Sequence, residues 1–389
     1  MEQGIIYLDN AAGSFPKPEC VYAAADTALR EKGGNPGRSG HRLSLSAGRI
    51  VDEARLLCAR LFGAAQTENI IFTCNTTAAL NTAIKGIIEP GDHVITSSVE
   101  HNSVSRPLYH LEKSGVEVSK LPVDLYNGLN TDDIKKALKP NTKLLVCTHI
   151  SNVTGTVNDV SSIGAFCREN GILFLLDAAQ SAGARPINVR EMCIDMLAFP
   201  GHKSLFGPQG TGGLYIRQGL ELKTIVQGGT GSSSELLSQP ESLPAKLESG
   251  TLNTPGLACL AAGIQFILEK GISEIVKREA SLINQLIEGI NNINRIRLIG
   301  PGINQDRGSV VSLCIENKSP ADAALMMDSA FNIAVRSGLH CAADAHRHIG
   351  TLDTGGTVRI SPNYLNSEED IKTCLNALEI CATSQVKGL

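Results

Sequence analysis

The segment VRSGLHCAADAHRHIG, residues 335–350, gathers one cysteine and three histidines: Cys341 directly follows His340, and His346 and His348 lie close behind. Two chemistries compete for such a cluster. Thiolate and imidazole are the usual zinc ligands, and an accessible thiol among basic side chains is a nucleophile. The remaining cysteines bear on the choice. The chain holds 11, an odd number, scattered and without a Cys-x-x-Cys pair. That argues against a disulfide framework and against a zinc ribbon. Cys58 in ARLLCARLF and Cys259 in LACLAAG sit in apolar runs, as small buried hydrophobes do. Cys341 differs, because glycine, histidine and small residues surround it. It reads as an exposed reactive thiol. No other ligand pair shows zinc spacing, so no metal is expected, and a solvated loop is the expected setting of His346 and His348.

A second concentration of chemistry lies upstream. LFLLDAAQSAG ends an apolar run in Asp177, where a carboxylate is costly unless it meets a donor or a cation. Helix capping would account for it, and so would a ligand at a strand end. Lys203 follows Asp177 by 26 residues, in AFPGHKSLFGPQGTGG, where a strand-like run meets a glycine-permissive bend. An exposed surface lysine is the ordinary reading. One cofactor, however, asks for both groups. Pyridoxal phosphate needs a lysine for its Schiff base and a carboxylate that keeps its ring nitrogen protonated, so that the ring acts as an electron sink. Its phosphate needs an anion site. Asn75-Thr76-Thr77 sit where a strand turns into a helix, and free N–H groups with adjacent hydroxyls suit an anion, although ordinary threonine capping would look the same. His101, just past another strand, could stack on a flat ring or handle protons. Asn152 places an amide beyond a further strand.

These residues need elements to position them. Ile70–Phe72, His93–Thr96, Lys143–Thr148 and Ile172–Asp177 are short apolar runs that suit strands buried on both faces of a parallel sheet. Helical patterns alternate with them, which predicts an α/β layered domain. After Pro255 the texture changes. Long helices are expected over Leu257–Lys270 and Glu274–Ile290, followed by strands at Ser309–Ile315 and Thr357–Ile360 that flank the Cys341 loop. The reading is a large domain over residues 1–255 and a smaller C-terminal α/β domain over 256–389. The formal net charge of −4 (35 basic, 39 acidic residues) gives no basic face for nucleic acid. The N-terminus lacks the basic start and apolar run of a signal peptide, and no apolar segment is long enough to span a bilayer. The chain is therefore expected to be soluble and cytoplasmic, with neither nucleic acid nor membrane as partner.

The pieces YLDNAA, GNPGRSGHRLS, TTAALN, EHNS, SNVTGTVN, DAAQSAG, GHKSLFGPQGTGGL, ESGTLNTPG, RSGLHC and VRISPNYLN, in this order, resemble the class V aminotransferase superfamily of pyridoxal-phosphate enzymes. The likeness is to its cysteine desulfurase and selenocysteine lyase group, in the branch with a compact catalytic loop, and it covers nearly the whole chain. It implies fold-type I: a mainly parallel seven-stranded sheet flanked by helices, plus the smaller domain, on which the first ~15 residues can pack. It also implies roles. Lys203 would carry the cofactor, Asp177 would pair with the ring nitrogen, Gln180 with the ring hydroxyl, and His101 would stack on the ring. Thr76, Thr77, His202 and, from a partner subunit, Thr251 would hold the phosphate. Asn152 would lie near cofactor and substrate. Arg359 would clamp the substrate carboxylate, a task suited to a planar guanidinium, with His41 and Arg336 beside the substrate. Cys341 would take the sulfur of L-cysteine as a persulfide, leaving L-alanine. On that mechanism His101 is the candidate proton shuttle for the substrate thiol, and Arg336, near Cys341, either favours its thiolate form or has an ordinary surface role. The implied assembly is a homodimer, and the implied recipient of the sulfur is an acceptor protein. Selenocysteine lyase is the nearest alternative, followed by another aminotransferase or β-lyase, or a sulfur carrier without catalysis. Two departures stand out. Pro200 occupies a position where many relatives place a phosphate-binding Ser or Thr. AADAH follows Cys341 without the proline that many relatives have.

Overall fold

The structure is a computed structural model and describes residues 4–37, 39–231, 235 and 237–384. Arg38, within the GNPGRSGHRLS piece, lies outside the described residues. One strand, β1 (Ile6–Tyr7), and two helices, α1 (Glu19–Glu31) and α2 (Arg42–Phe62), precede the central sheet. Seven strands build that sheet: β2 (Ile70–Thr73), β3 (His93–Ser97), β4 (Glu117–Leu121), β5 (Thr142–Thr148), β6 (Leu173–Asp177), β7 (Met196–Pro200) and β8 (Gly212–Ile216). Their spatial order is β2-β8-β7-β6-β5-β3-β4. All neighbours run parallel except β8, which opposes both β2 and β7. The runs are apolar throughout because both faces are covered. On β5, Leu145 and Cys147 enter one core while Leu144 and Val146 enter the other.

Helices α3 (Thr76–Ile87) and α4 (Asn102–Glu112) cover one face. The other is covered by α1, α2, α6 (Val160–Glu169) and α7 (Thr254–Lys270), and the short α5 (Thr131–Lys136) adds Ile134 there. Helix α8 (Ile272–Asn291) follows. Its Ile275 still belongs to this core, whereas Leu282, Leu286 and Ile290 belong to the next. The change of core thus falls within α8, past the change of sequence texture near residue 255.

The C-terminal part is an antiparallel sheet, ordered β12-β13-β10-β9, from β9 (Ile296–Ile299), β10 (Val311–Ile315), β12 (Arg336–Gly338) and β13 (Thr357–Ile360). Helices α8, α9 (Pro320–Phe331) and α11 (Glu368–Thr383) pack on it through Leu286, Met327 and Leu378. The N-terminal strand returns here: β1 pairs in parallel with β11 (Ile333–Ala334), and Leu8 is fully buried in this core. After Cys341 the chain forms a short helix, α10 (Ala343–His348).

A buried ion pair ties α2 to the sheet and to the segment before α7. Arg55 meets Glu248 through two 2.8 Å contacts, Glu248 also accepts the Phe72 N–H at 2.6 Å, and the guanidinium lies over the Phe72 ring. Both side chains are less than a tenth exposed. Removing one partner strands the other charge in apolar surroundings. Glu248→Ala is expected to lower stability by about 3–5 kcal/mol, read as a lower urea midpoint at unchanged slope.

Candidate active site

The carboxyl ends of five parallel strands open on one pocket, where open α/β sheets bind ligands. Beyond β2, Asn75 caps α3 by accepting the Ala78 N–H at 2.9 Å, which places Thr76 and Thr77 in the first helical turn. Beyond β3, His101 is the N-cap of α4. Asn152 follows β5, Asp177 ends β6, and Lys203 follows β7 across Gly201. Gly201 admits no side chain: a Cβ would sit 2.1 Å from Thr211 Oγ1. Gln180, His202, Arg336 and Arg359 complete the wall.

Burial sets the electrostatics. It pushes Asp177 up to about 6, opposed by the Ala179 N–H at 2.9 Å and by the Lys203 charge. It pushes Lys203 down to about 8, with Asp177 pulling the other way. His101 falls to about 4, from burial first and then from Lys203 and the nearby arginines. His202 falls to about 4 for the same leading reason. Both imidazoles are therefore neutral near pH 7.

Cys341 lies outside this wall, in an adjoining groove that shares Thr77, His101 and Ser103 with it. The thiol is exposed, and Arg336 Nη2 donates to its sulfur at 3.6 Å. Both His340 and Cys341 have left-handed backbones, φ 49° and 57°, which non-glycine residues adopt at a cost. Their carbonyls are held from across the sheet: Asn152 Nδ2 donates to His340 O and Asn102 N–H to Cys341 O, each at 2.7 Å. Lys120 and Asp344 pair over α10. The loop is thus braced although the proline is missing.

Several expectations change. His346 is fully buried and not on a solvated loop: Nδ1 bonds Thr351 Oγ1 at 2.7 Å and its ring lies 5.5 Å from that of His340. His348 is exposed, and its Nε2 lies 2.7 Å from Val123 O. The cause is α10, which turns the His346 ring inward and carries the His348 ring to the Val123 carbonyl. His41 caps α2, its Nδ1 accepting the Ser44 N–H at 3.2 Å, and does not line the pocket of its own chain. Thr251 borders a separate cavity with Asn35 and Pro36. Arg359 reaches the pocket but is already engaged, donating to Asp9 at 2.7 Å and to Asn152 O at 3.2 Å. Arg336 and Arg359 stand opposite each other on β12 and β13, which brings both guanidinium groups to one face.

Sequence reasoning passed over Asp9, Ser103 and Glu100. Glu100 is buried beneath the site. Its Oε1 accepts from Ser97 Oγ and from Thr148 N–H, Oε2 has no partner among the described residues, and burial raises its pKa to about 8. The pair Glu100-His101 in VEHNS, an acid just past a strand and directly before the helix-capping His101, was the available signal.

The Aminotransferase class-V family matches residues 6–374. A probable cysteine desulfurase of Methanothermobacter thermautotrophicus is 37% identical over 380 residues, covering 96% of this chain and 94% of the relative. One of Pyrococcus abyssi is 35% identical, covering 97% and 94%. Among solved structures, an apo cysteine desulfurase of Thermococcus onnurineus superposes with a TM-score of 0.90 at 34% identity, over 96% of this chain and 94% of that one. A cysteine desulfurase of Escherichia coli gives 0.87 at 26% identity, over 98% and 95%.

Proposed function

The chain belongs to the class V aminotransferase family, and from that premise we propose that it is a pyridoxal-phosphate-dependent cysteine desulfurase, converting L-cysteine to L-alanine and passing the sulfur to Cys341. The observation that carries this reading is the placement of an exposed, arginine-contacted thiol in a groove continuous with the Lys203–Asp177 pocket.

The pocket suits the cofactor by its donor set. Among the described residues, Lys203 Nζ has no protein partner, one Asp177 oxygen accepts only the Ala179 N–H, and the buried His202 Nδ1 has no partner. Lys203 would carry the cofactor, Asp177 would face its ring nitrogen, and Gln180, anchored by donating to Ala11 O at 3.0 Å, would face its ring hydroxyl. Thr76 and the N-terminal N–H groups of α3 would hold the phosphate. Pro200 ends β7 and contributes no donor. When bound, the cofactor supplies an electron sink for the carbanion at the substrate Cα.

The chain's own residues supply the rest. Arg359, held rigid by Asp9, offers its guanidinium to the substrate carboxylate. Lys203, as a free amine, accepts the Cα proton. Arg336 Nη2 donates to the Cys341 sulfur, which as thiolate attacks the substrate sulfur. An S–S bond forms as the Cβ–S bond breaks, the electron pair stays with the carbon skeleton, and protonation gives alanine. Cys341 is left as a persulfide, accessible to an acceptor thiol. Thr251 and His41 do not line the pocket of their own chain, which supports a homodimer that completes each site from its partner.

Purified enzyme under reducing conditions is expected to release alanine and sulfide in equal amounts from L-cysteine. Release from L-selenocysteine alone would replace this reading with the lyase.

A further inference from the structure

We infer that Ser103 is a positioning residue that fixes His101 as the tautomer protonated on Nε2, so that His101 meets the bound amino acid as a hydrogen-bond donor and not as a base. The chemical meaning of this assignment rests on the desulfurase reading above; the geometry does not.

The backbone N–H of Ser103 can only donate, and it points at His101 Nδ1 at 3.1 Å. Nδ1 is therefore an acceptor and carries no hydrogen. Ser103 Oγ lies 2.8 Å from the same nitrogen. With no hydrogen on Nδ1, the serine hydroxyl must be the donor there, since two bare lone pairs at that distance would repel. Ser103 has then spent its one hydrogen. Its other close contact, Thr77 Oγ1 at 2.7 Å, must donate to it. The chain runs in one direction: Thr77 O–H to Ser103 Oγ, and Ser103 O–H to His101 Nδ1.

A neutral imidazole bare at Nδ1 bears its hydrogen on Nε2, the nitrogen left without a protein partner among the described residues. A second proton could enter only at Nδ1, breaking the bonds from Ser103. The cationic groups that face the ring, Lys203, Arg336, Arg106 and Arg359, oppose that proton too, as does burial. Nε2 therefore cannot accept the substrate thiol proton.

The test is nitrogen-15 spectroscopy of enzyme labelled in histidine, with and without cofactor, the His101 signals being identified by their loss in His101→Gln. Between about pH 6 and about pH 8 the expected result is a protonated Nε2 and a bare Nδ1. Ser103→Ala should raise the His101 pKa by about one unit, and Ser103→Thr should restore it. A bare Nε2 in the wild type or an unmoved pKa in Ser103→Ala would each overturn the assignment. If the tautomer is as expected but L-cysteine yields no alanine, the desulfurase reading fails and the role of Ser103 stands. If alanine forms and Nε2 is bare, the reverse holds.

Discussion

Cys341→Ser is expected to cut alanine formation from L-cysteine by roughly a thousandfold or more, with cofactor binding and folding intact. Serine fits the same space but does not offer a thiolate at neutral pH. The side chain is exposed, so its loss should cost little stability, within about 0.5 kcal/mol. The left-handed backbone at this position is shared by both residues and is held by the Asn102 N–H. Alanine is measured by chromatography, and the sulfur on Cys341 by alkylation and mass spectrometry of the wild type after substrate. Full alanine formation by the variant would show that sulfur leaves without Cys341. Activity retained only on selenocysteine would point to a lyase, because selenium departs more readily.

Lys203→Ala should be as severe, for a different reason. The variant is expected to lose covalent retention of the cofactor and essentially all turnover, more than about a thousandfold. Borohydride trapping should attach the cofactor to the wild type and not to the variant. Folding should survive and improve slightly without cofactor. The sign follows from the direction of the shift. Burial lowers Lys203 to about 8 from its ordinary value, so the folded protein disfavours the charged amine. That penalty is full below about pH 8 and fades as pH rises toward the unfolded value near 10.4. Removing the amine therefore helps most below about pH 8. The same shift governs capture of the cofactor by the apo wild type. The neutral amine is the nucleophile, so the capture rate should rise with a midpoint near 8. A rise centred near 10.4 would mean that Lys203 is solvated like a surface lysine.

The local pattern of the chain already fixed the frame of the site. Short continuous apolar runs suit strands covered on both faces, and the expected strands reappear as β2, β3, β5, β6, β10 and β13. Asp177, Lys203, Thr76, His101 and Asn152 each fall at a strand end or just beyond one, so recognising the strands was enough to place them on one edge of a sheet. The antiparallel course of β8 and the edge strand β4, half exposed and carrying Glu117 and Lys120, have weaker patterns and were not readable in the same way.

Only the tertiary structure decided what crosses the sequence at long range. The partners of Arg359 and Asn152, namely Asp9 and His340 O, lie hundreds of residues away along the chain, and no periodicity links them. The direction of the proton chain through Thr77, Ser103 and His101 depends on two helix starts meeting side by side, not on any spacing. The burial of His346 depends on AADAHRH closing into a helix against both sheets, although its composition suits a solvated loop. Sequence specifies local structure through near neighbours, and near neighbours were enough to place the candidate groups at strand ends. Their charge states, tautomers and clamps come from burial and from contacts between distant segments, which exist only once the chain has folded.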